Sequence, residues 1–230
     1  MSAILARKVE HIMERGHFPL VLGGDHSIAV GTVSGIAAWA QREKKKLGIL
    51  WIDAHGDLNT PETSPSGNIH GMPLATLLGF GVKELTEVGG VFPKVAAEKI
   101  ALVGIRSLDA GEKSRLKEND VQVHTMADID RQGVHRVMKK ALAKVTDGTD
   151  FVHVSFDLDV VDPAVAPGVG TPVKGGLDYR EAHLIMEVIA DAGVMSSLEI
   201  VEVNPILDLK NASAIFAVEL VQSAFGKKIL

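Results

Sequence analysis

Apolar and polar positions alternate between two regimes along this chain. Short, mostly apolar runs predict strands over residues 18–22, 47–52, 99–105, 121–125, 151–156 and 197–203. Between them, apolar residues recur at spacings of three and four, as at Ile4, Leu5, Val9, Ile12 and Met13. That period predicts helices over 3–15, 28–46, 74–78, 111–117, 127–145, 178–192 and 211–225, with an interruption expected at Gly133. Lys44, Lys45 and Lys46 read as a basic, solvated end of the second helix. Strands thus alternate with helices. Several strands are apolar throughout, which is the pattern of a parallel sheet covered by helices on both faces. The expected fold is a single α/β domain over residues 1–230.

Composition narrows the function. Hydrophobic residues make up 46% of 230, enough for a sizeable core. The net charge is −5, with no basic stripe or repeated aromatic platform, so nucleic acid is not an expected partner. Cysteine is absent, which excludes disulfides and thiolate ligands and fits a reducing compartment. No apolar run reaches membrane-spanning length and no signal peptide is read, so the expected location is the cytoplasm.

The chemistry lies where strands end. Asp53, His55 and Asp57 follow the run 47–52 at two-residue spacing, so on extended backbone they share one face. Asp157 and Asp159 repeat that device after 151–156, and His26 follows 18–22 in Gly23-Gly24-Asp25-His26. Ligands of open parallel sheets bind beyond the carboxyl ends of the strands, so these segments should meet. Two imidazoles and four carboxylates exceed one ion's needs, and bridging carboxylates hold two ions about 3.5–4 Å apart. Oxygen-rich ligands with imidazole and no thiolate suit Mn²⁺; Zn²⁺, Co²⁺, Ni²⁺ and Fe²⁺ remain open. Asp25, Asp128 and Asp162 read as turn formers or helix caps. His153 reads as a hydrogen-bonded core residue, and His11, His17, His124, His135 and His183 as surface residues. His70 stands apart on the tight loop Ser66-Gly67-Asn68-Ile69-His70-Gly71, near the ligands.

The segments L-G-G-D-H-S, D-A-H-G-D, S-F-D-L-D-V-V-D-P-A-V-A-P-G and V-E-V-N-P resemble those of the ureohydrolases, the arginases, agmatinases and relatives. The loop N-T-P-E-T-S-P-S-G-N-I-H-G-M-P is similar to that of bacterial-type arginases. The resemblance implies an arginase-like fold, with eight parallel strands in the family against about six here. It implies two Mn²⁺ ions and hydrolysis of L-arginine to L-ornithine and urea, a hydroxide between the metals attacking the guanidinium carbon. One ion would take His26, Asp53, Asp57 and Asp157, the other Asp53, His55, Asp157 and Asp159. Asp57 would also orient the hydroxide, and His70 would shuttle the proton. Asn59, Ser66 and Asn68 would hold the α-carboxylate, and Asp109, with Glu112 nearby, the α-ammonium. Glu202 would bind the guanidinium, with Thr171 in the matching G-T-P segment. Val160 stands where relatives often have Gly, and Ser107 where they often have Asp. The two strands that usually precede G-G-D-H-S are missing, so the domain is expected to be N-terminally shortened, with 18–22 as an apolar edge. By the same resemblance the chain should form a trimer or hexamer. The alternatives are an agmatinase or other guanidino-compound hydrolase, and an inactive metal-binding relative.

Overall fold

A computed structural model describes residues 1–227. Six strands form one sheet: β1 (Leu20–Leu22), β2 (Leu47–Ile52), β3 (Ile100–Ile105), β4 (Gln122–Thr125), β5 (Phe151–Asp157) and β6 (Met195–Val201). The order is β1-β6-β5-β2-β3-β4, and every neighbouring pair is parallel. The helices are α1 (Ser2–Glu14), α2 (Ala29–Arg42), α3 (Pro73–Leu77), α4 (Lys83–Thr86), α5 (Ala110–Glu118), α6 (Met126–Gln132), α7 (Val134–Thr146), α8 (Tyr179–Ala192) and α9 (Ala212–Ala224). Among the described residues, no helix is long and apolar enough to cross a membrane.

The unbroken apolar runs are explained by burial on two sides. Along β2, Ile49 and Trp51 belong to a core on one face with Val33 and Ile36 of α2, while Leu50 and Ile52 belong to the opposite core with α6 to α9. Alternate side chains point oppositely, so a central strand between two helical layers needs apolar residues at every position.

Two expectations are corrected. The second helix stops at Arg42 rather than 46. Lys44 has φ 55, in the left-handed region that ends helices, and Lys45 and Lys46 lead directly into β2. His124 and His183 are buried, not superficial, each 7% exposed. The interruption at Gly133 is real: φ 79 and ψ 149 there break the pattern into α6 and α7. At the sheet's border, β1 pairs among the described residues with β6 alone, and Leu22 is 61% exposed.

Candidate metal centre and cleft

Strand order creates the site. From β2 the chain moves one way to β3 and β4, whereas β5 and β6 lie on its other side. The loops leaving β2 and β5 therefore diverge and open a crevice at the carboxyl end of the sheet. Asp53 and Asp57 enter it after β2, and Asp157 and Asp159 at the end of β5. His26 comes from the turn after β1, and Glu202 follows β6. Asp25 caps the turn carrying His26 by accepting from Ser27 N–H at 2.9 Å. Asp162 and Asp128 also serve backbone turns and caps.

Five of the six residues expected to bind metal are buried almost completely, with His55 half-buried at the cleft. His26 Nδ1 lies 3.1 Å from Asp53 Oδ2, 3.0 Å from Asp57 Oδ2 and 3.0 Å from Asp157 Oδ2. His55 Nδ1 lies 3.0 Å from Asp159 Oδ2 and 3.6 Å from Asp53 Oδ1. His26, Asp53 and Asp157 form one group able to surround a cation, and Asp53, His55 and Asp159 a second. Asp53 belongs to both and turns one oxygen to each histidine. Asp157 falls in the first group only, and Asp57 faces it through His26. The residues fit a metal on a further ground. Among the described residues, His26 Nδ1 and Asp57 Oδ2 are buried and without hydrogen-bond partners, a costly state that a cation would relieve.

The electrostatics show the same demand. Burial, then the nearby Asp53 charge, pushes Asp57 up to about 7. Burial and the charges of its neighbours also raise Asp157 and Asp159. Burial opposes charging His55, but Asp159 and Asp53 overcome it and raise the ring to about 11. Burial would also raise Asp53, yet the His26 and His55 rings beside it hold it below the usual carboxylate range. Protons thus do part of the neutralisation that divalent ions would do.

Above the two groups lies a cleft of about 250 Å³ whose lining includes His55, Asp57, Asn59, Ser66, His70, Asp109, Glu112 and Thr171. Asn59 Nδ2 donates to Asp109 Oδ2 at 2.9 Å, and Thr63 Oγ1 donates to Asn59 Oδ1 at 3.0 Å. Thr171 Oγ1 donates to Asp159 Oδ2 at 3.0 Å. Glu202 Oε1 accepts from His26 N–H at 2.8 Å and lies 3.1 Å from His70 Nδ1. The Glu202 bond raises the His70 pKa against the opposing effect of burial. Asn68 is exposed and does not line the cleft. Glu112 is occupied by backbone, accepting from Leu58 N–H and Asp109 N–H at 3.1 and 2.8 Å, so it clamps two loops together.

Sequence reasoning missed several contributors. Ser64 lines the cleft, along with Ser107, which the family pattern had already marked. Trp51 stacks on His26 with centroids 4.2 Å apart and donates Nε1–H to Asp53 Oδ2 at 3.0 Å. Arg106 donates to the carbonyls of Asp159, Val160 and Val173 at 2.7, 3.0 and 2.7 Å, tying the turn after β5 to the loop beyond Thr171. Its place at the end of β3 was the one available signal.

Residues 1–226 match the Arginase family. An arginase of Bacillus caldovelox is 55% identical over 226 residues, covering 98% of this chain and 74% of that protein. A solved structure of B. caldovelox arginase superposes with a TM-score of 0.95 at 54% identity, covering 100% of this chain and 75% of that one. The structure of Entamoeba histolytica arginase in complex with L-ornithine superposes with a TM-score of 0.91 at 34% identity, covering 98% and 75%. The strand order, the shared carboxylate between two histidine groups and these likenesses lead to one conclusion: the chain belongs to the arginase family.

Proposed function

We propose that this protein hydrolyses L-arginine to L-ornithine and urea, using two Mn²⁺ ions. One observation carries the reading: two histidine–carboxylate groups share Asp53 beneath a cleft lined by Asn59, Ser66, His70 and Asp109. His26, Asp53, Asp57 and Asp157 would hold one ion, and Asp53, His55, Asp157 and Asp159 the other. Bound there, the ions would supply the acidity that lets water ionise near neutral pH, its pKa falling from about 15.7 toward 7.

The protein's own groups do the rest. Asp109, already held by Asn59, accepts the α-ammonium, and the Ser66 side of the cleft meets the α-carboxylate. Glu202 binds the guanidinium by charge-assisted hydrogen bonds, and its second task is to hold His70. His70, kept protonated to higher pH by Glu202, delivers a proton to the departing amine. Asp57 orients the attacking water. By family resemblance we infer a cytoplasmic homo-oligomer, a trimer or hexamer, which light scattering after size exclusion would measure.

Urea release from L-arginine, agmatine and guanidinobutyrate after Mn²⁺ loading tests the assignment. Arginine should be strongly preferred, because agmatine lacks the α-carboxylate. Urea from agmatine alone would sink the arginine reading, and silence with all three at full metal occupancy would favour a metal-binding protein without activity. His70→Asn should lower kcat by roughly 10²–10⁴-fold, the usual contribution of a general acid, with metal content unchanged.

A further inference from the structure

A file of buried polar side chains runs between β5 and β6. Residues two apart share a face, so His153, Ser155 and Asp157 line up on β5, and Ser197 and Glu199 on β6. The register places Ser155 beside Glu199 and His153 beside Ser197. Each of His153, Ser155, Ser197 and Glu199 is 0% exposed. His26 Nε2 lies 2.8 Å from Ser155 Oγ, and Ser155 Oγ donates to Glu199 Oε1 at 2.8 Å. His153 Nε2 is 3.3 Å from the same Glu199 oxygen, and its Nδ1 is 2.9 Å from Ser197 Oγ.

We propose that Glu199, acting through Ser155, is a positioning residue that fixes which ring nitrogen of His26 is free to ligate metal. The inference rests on the metal reading above. A carboxylate only accepts hydrogen bonds, so Ser155 must give its single hydroxyl proton to Glu199. Ser155 Oγ is then left as an acceptor, and only a protonated Nε2 of His26 can satisfy it. The lone pair is thereby confined to Nδ1, the atom that faces Asp53, Asp57 and Asp157 and has no hydrogen-bond partner. His153 Nε2 stands 3.3 Å from that carboxylate. Carboxylates behind histidine ligands act in this way at other metal sites. Here a serine extends the reach by one link.

Glu199→Gln keeps the shape and removes the rule. Its amide can donate to Ser155, which turns the hydroxyl toward His26 Nε2 and moves the ring proton to Nδ1. Mn²⁺ titrations followed by the free-ion paramagnetic resonance signal would read the effect. One of two ions should bind about 10- to 100-fold more weakly, the range found for such outer partners, and the other should be unchanged. Ser155→Ala should show the same selective loss, and Ser155→Thr, which keeps the hydroxyl, should restore the affinity. Nitrogen-15 resonances of His26 in the Zn²⁺-loaded wild-type protein need no variant, and should show a proton on Nε2 and none on Nδ1. A proton-free Nε2, or Glu199→Gln binding both ions with wild-type affinity, would overturn the relay while leaving the metal reading intact. A wild-type chain that binds no second ion would overturn the metal reading, and the relay with it.

Discussion

Asp57 and Glu202 have left-handed backbone, with φ 52 and 62, although neither is glycine. Such conformations cost roughly 1–2 kcal/mol for ordinary side chains and persist where the surroundings enforce them. Asn tolerates this region better than Asp and carries no charge, so Asp57→Asn should raise the melting temperature of the metal-free protein while weakening Mn²⁺ binding. Paired calorimetry and metal titration would check both halves. At Glu202 the consequence concerns pH. Its carboxylate favours the charged His70 ring and raises that pKa. Removing the charge in Glu202→Gln lets His70 lose its proton at lower pH. The alkaline limb of kcat at saturating arginine should therefore move down, with an unmoved limb counting against the pair. Residues at strand ends were legible because two-residue spacing converts directly into a shared face. Ser155 and Glu199 were not, since their partners are set by the register between strands, which spacing along one strand does not contain, and the stacking of Trp51 on His26 joins segments that the sequence does not bring together.

Among the elements, the joint between β3 and the turn after β5 is the tightest near the site. Gly104 has φ +94, and a Cβ there would sit 2.3 Å from Val160 Cγ2 and 3.2 Å from the Asp53 carbonyl. Val160 is wholly buried, in the core against which the sheet packs. Gly104→Ala should cost about 2–4 kcal/mol, combining overpacking with an unfavourable φ. Urea unfolding would measure the loss, and a reduced Mn²⁺ content would show that Asp53 had moved. The strands were readable to within three residues, as with β2 at Leu47–Ile52, because burial on both faces leaves a strong apolar signal. Helix ends were less so. Lys45 and Lys46 continue no helix, since the chain must already turn to enter β2, and α4 lies in a stretch whose hydrophobic period is too short to register. His183 looked superficial because it is polar, yet it packs against Tyr179 and Phe216 and bonds Ser223 Oγ at 2.8 Å.

For the molecule as a whole, the site opposes the fold until ions arrive. Folded Asp57 holds its proton up to about 7, whereas the unfolded chain releases it near 3.8, and Asp157 and Asp159 shift in the same direction. The unfolded state thus binds fewer protons, so metal-free stability should fall as pH rises from about 4 to 7. His55 extends the fall, because the folded ring keeps a proton from 6.5 up to about 11. Asp53 acts oppositely, but its window lies below 3.8. With Mn²⁺ bound, ions displace these protons and the slope should reverse between pH 4 and 7. Melting curves in chelator and in Mn²⁺ would show two lines of opposite sign; parallel lines would argue against ligation by these groups. The parallel class of the sheet was legible, but its order was not, because local patterns do not name a strand's neighbours. That order has a consequence for synthesis. The first group joins residues 26, 53 and 157, which leave the ribosome far apart in time. A nascent chain could not capture an ion there until β5 had emerged and docked beside β2. Retained metal would then mark a chain whose central strands have assembled in the right order.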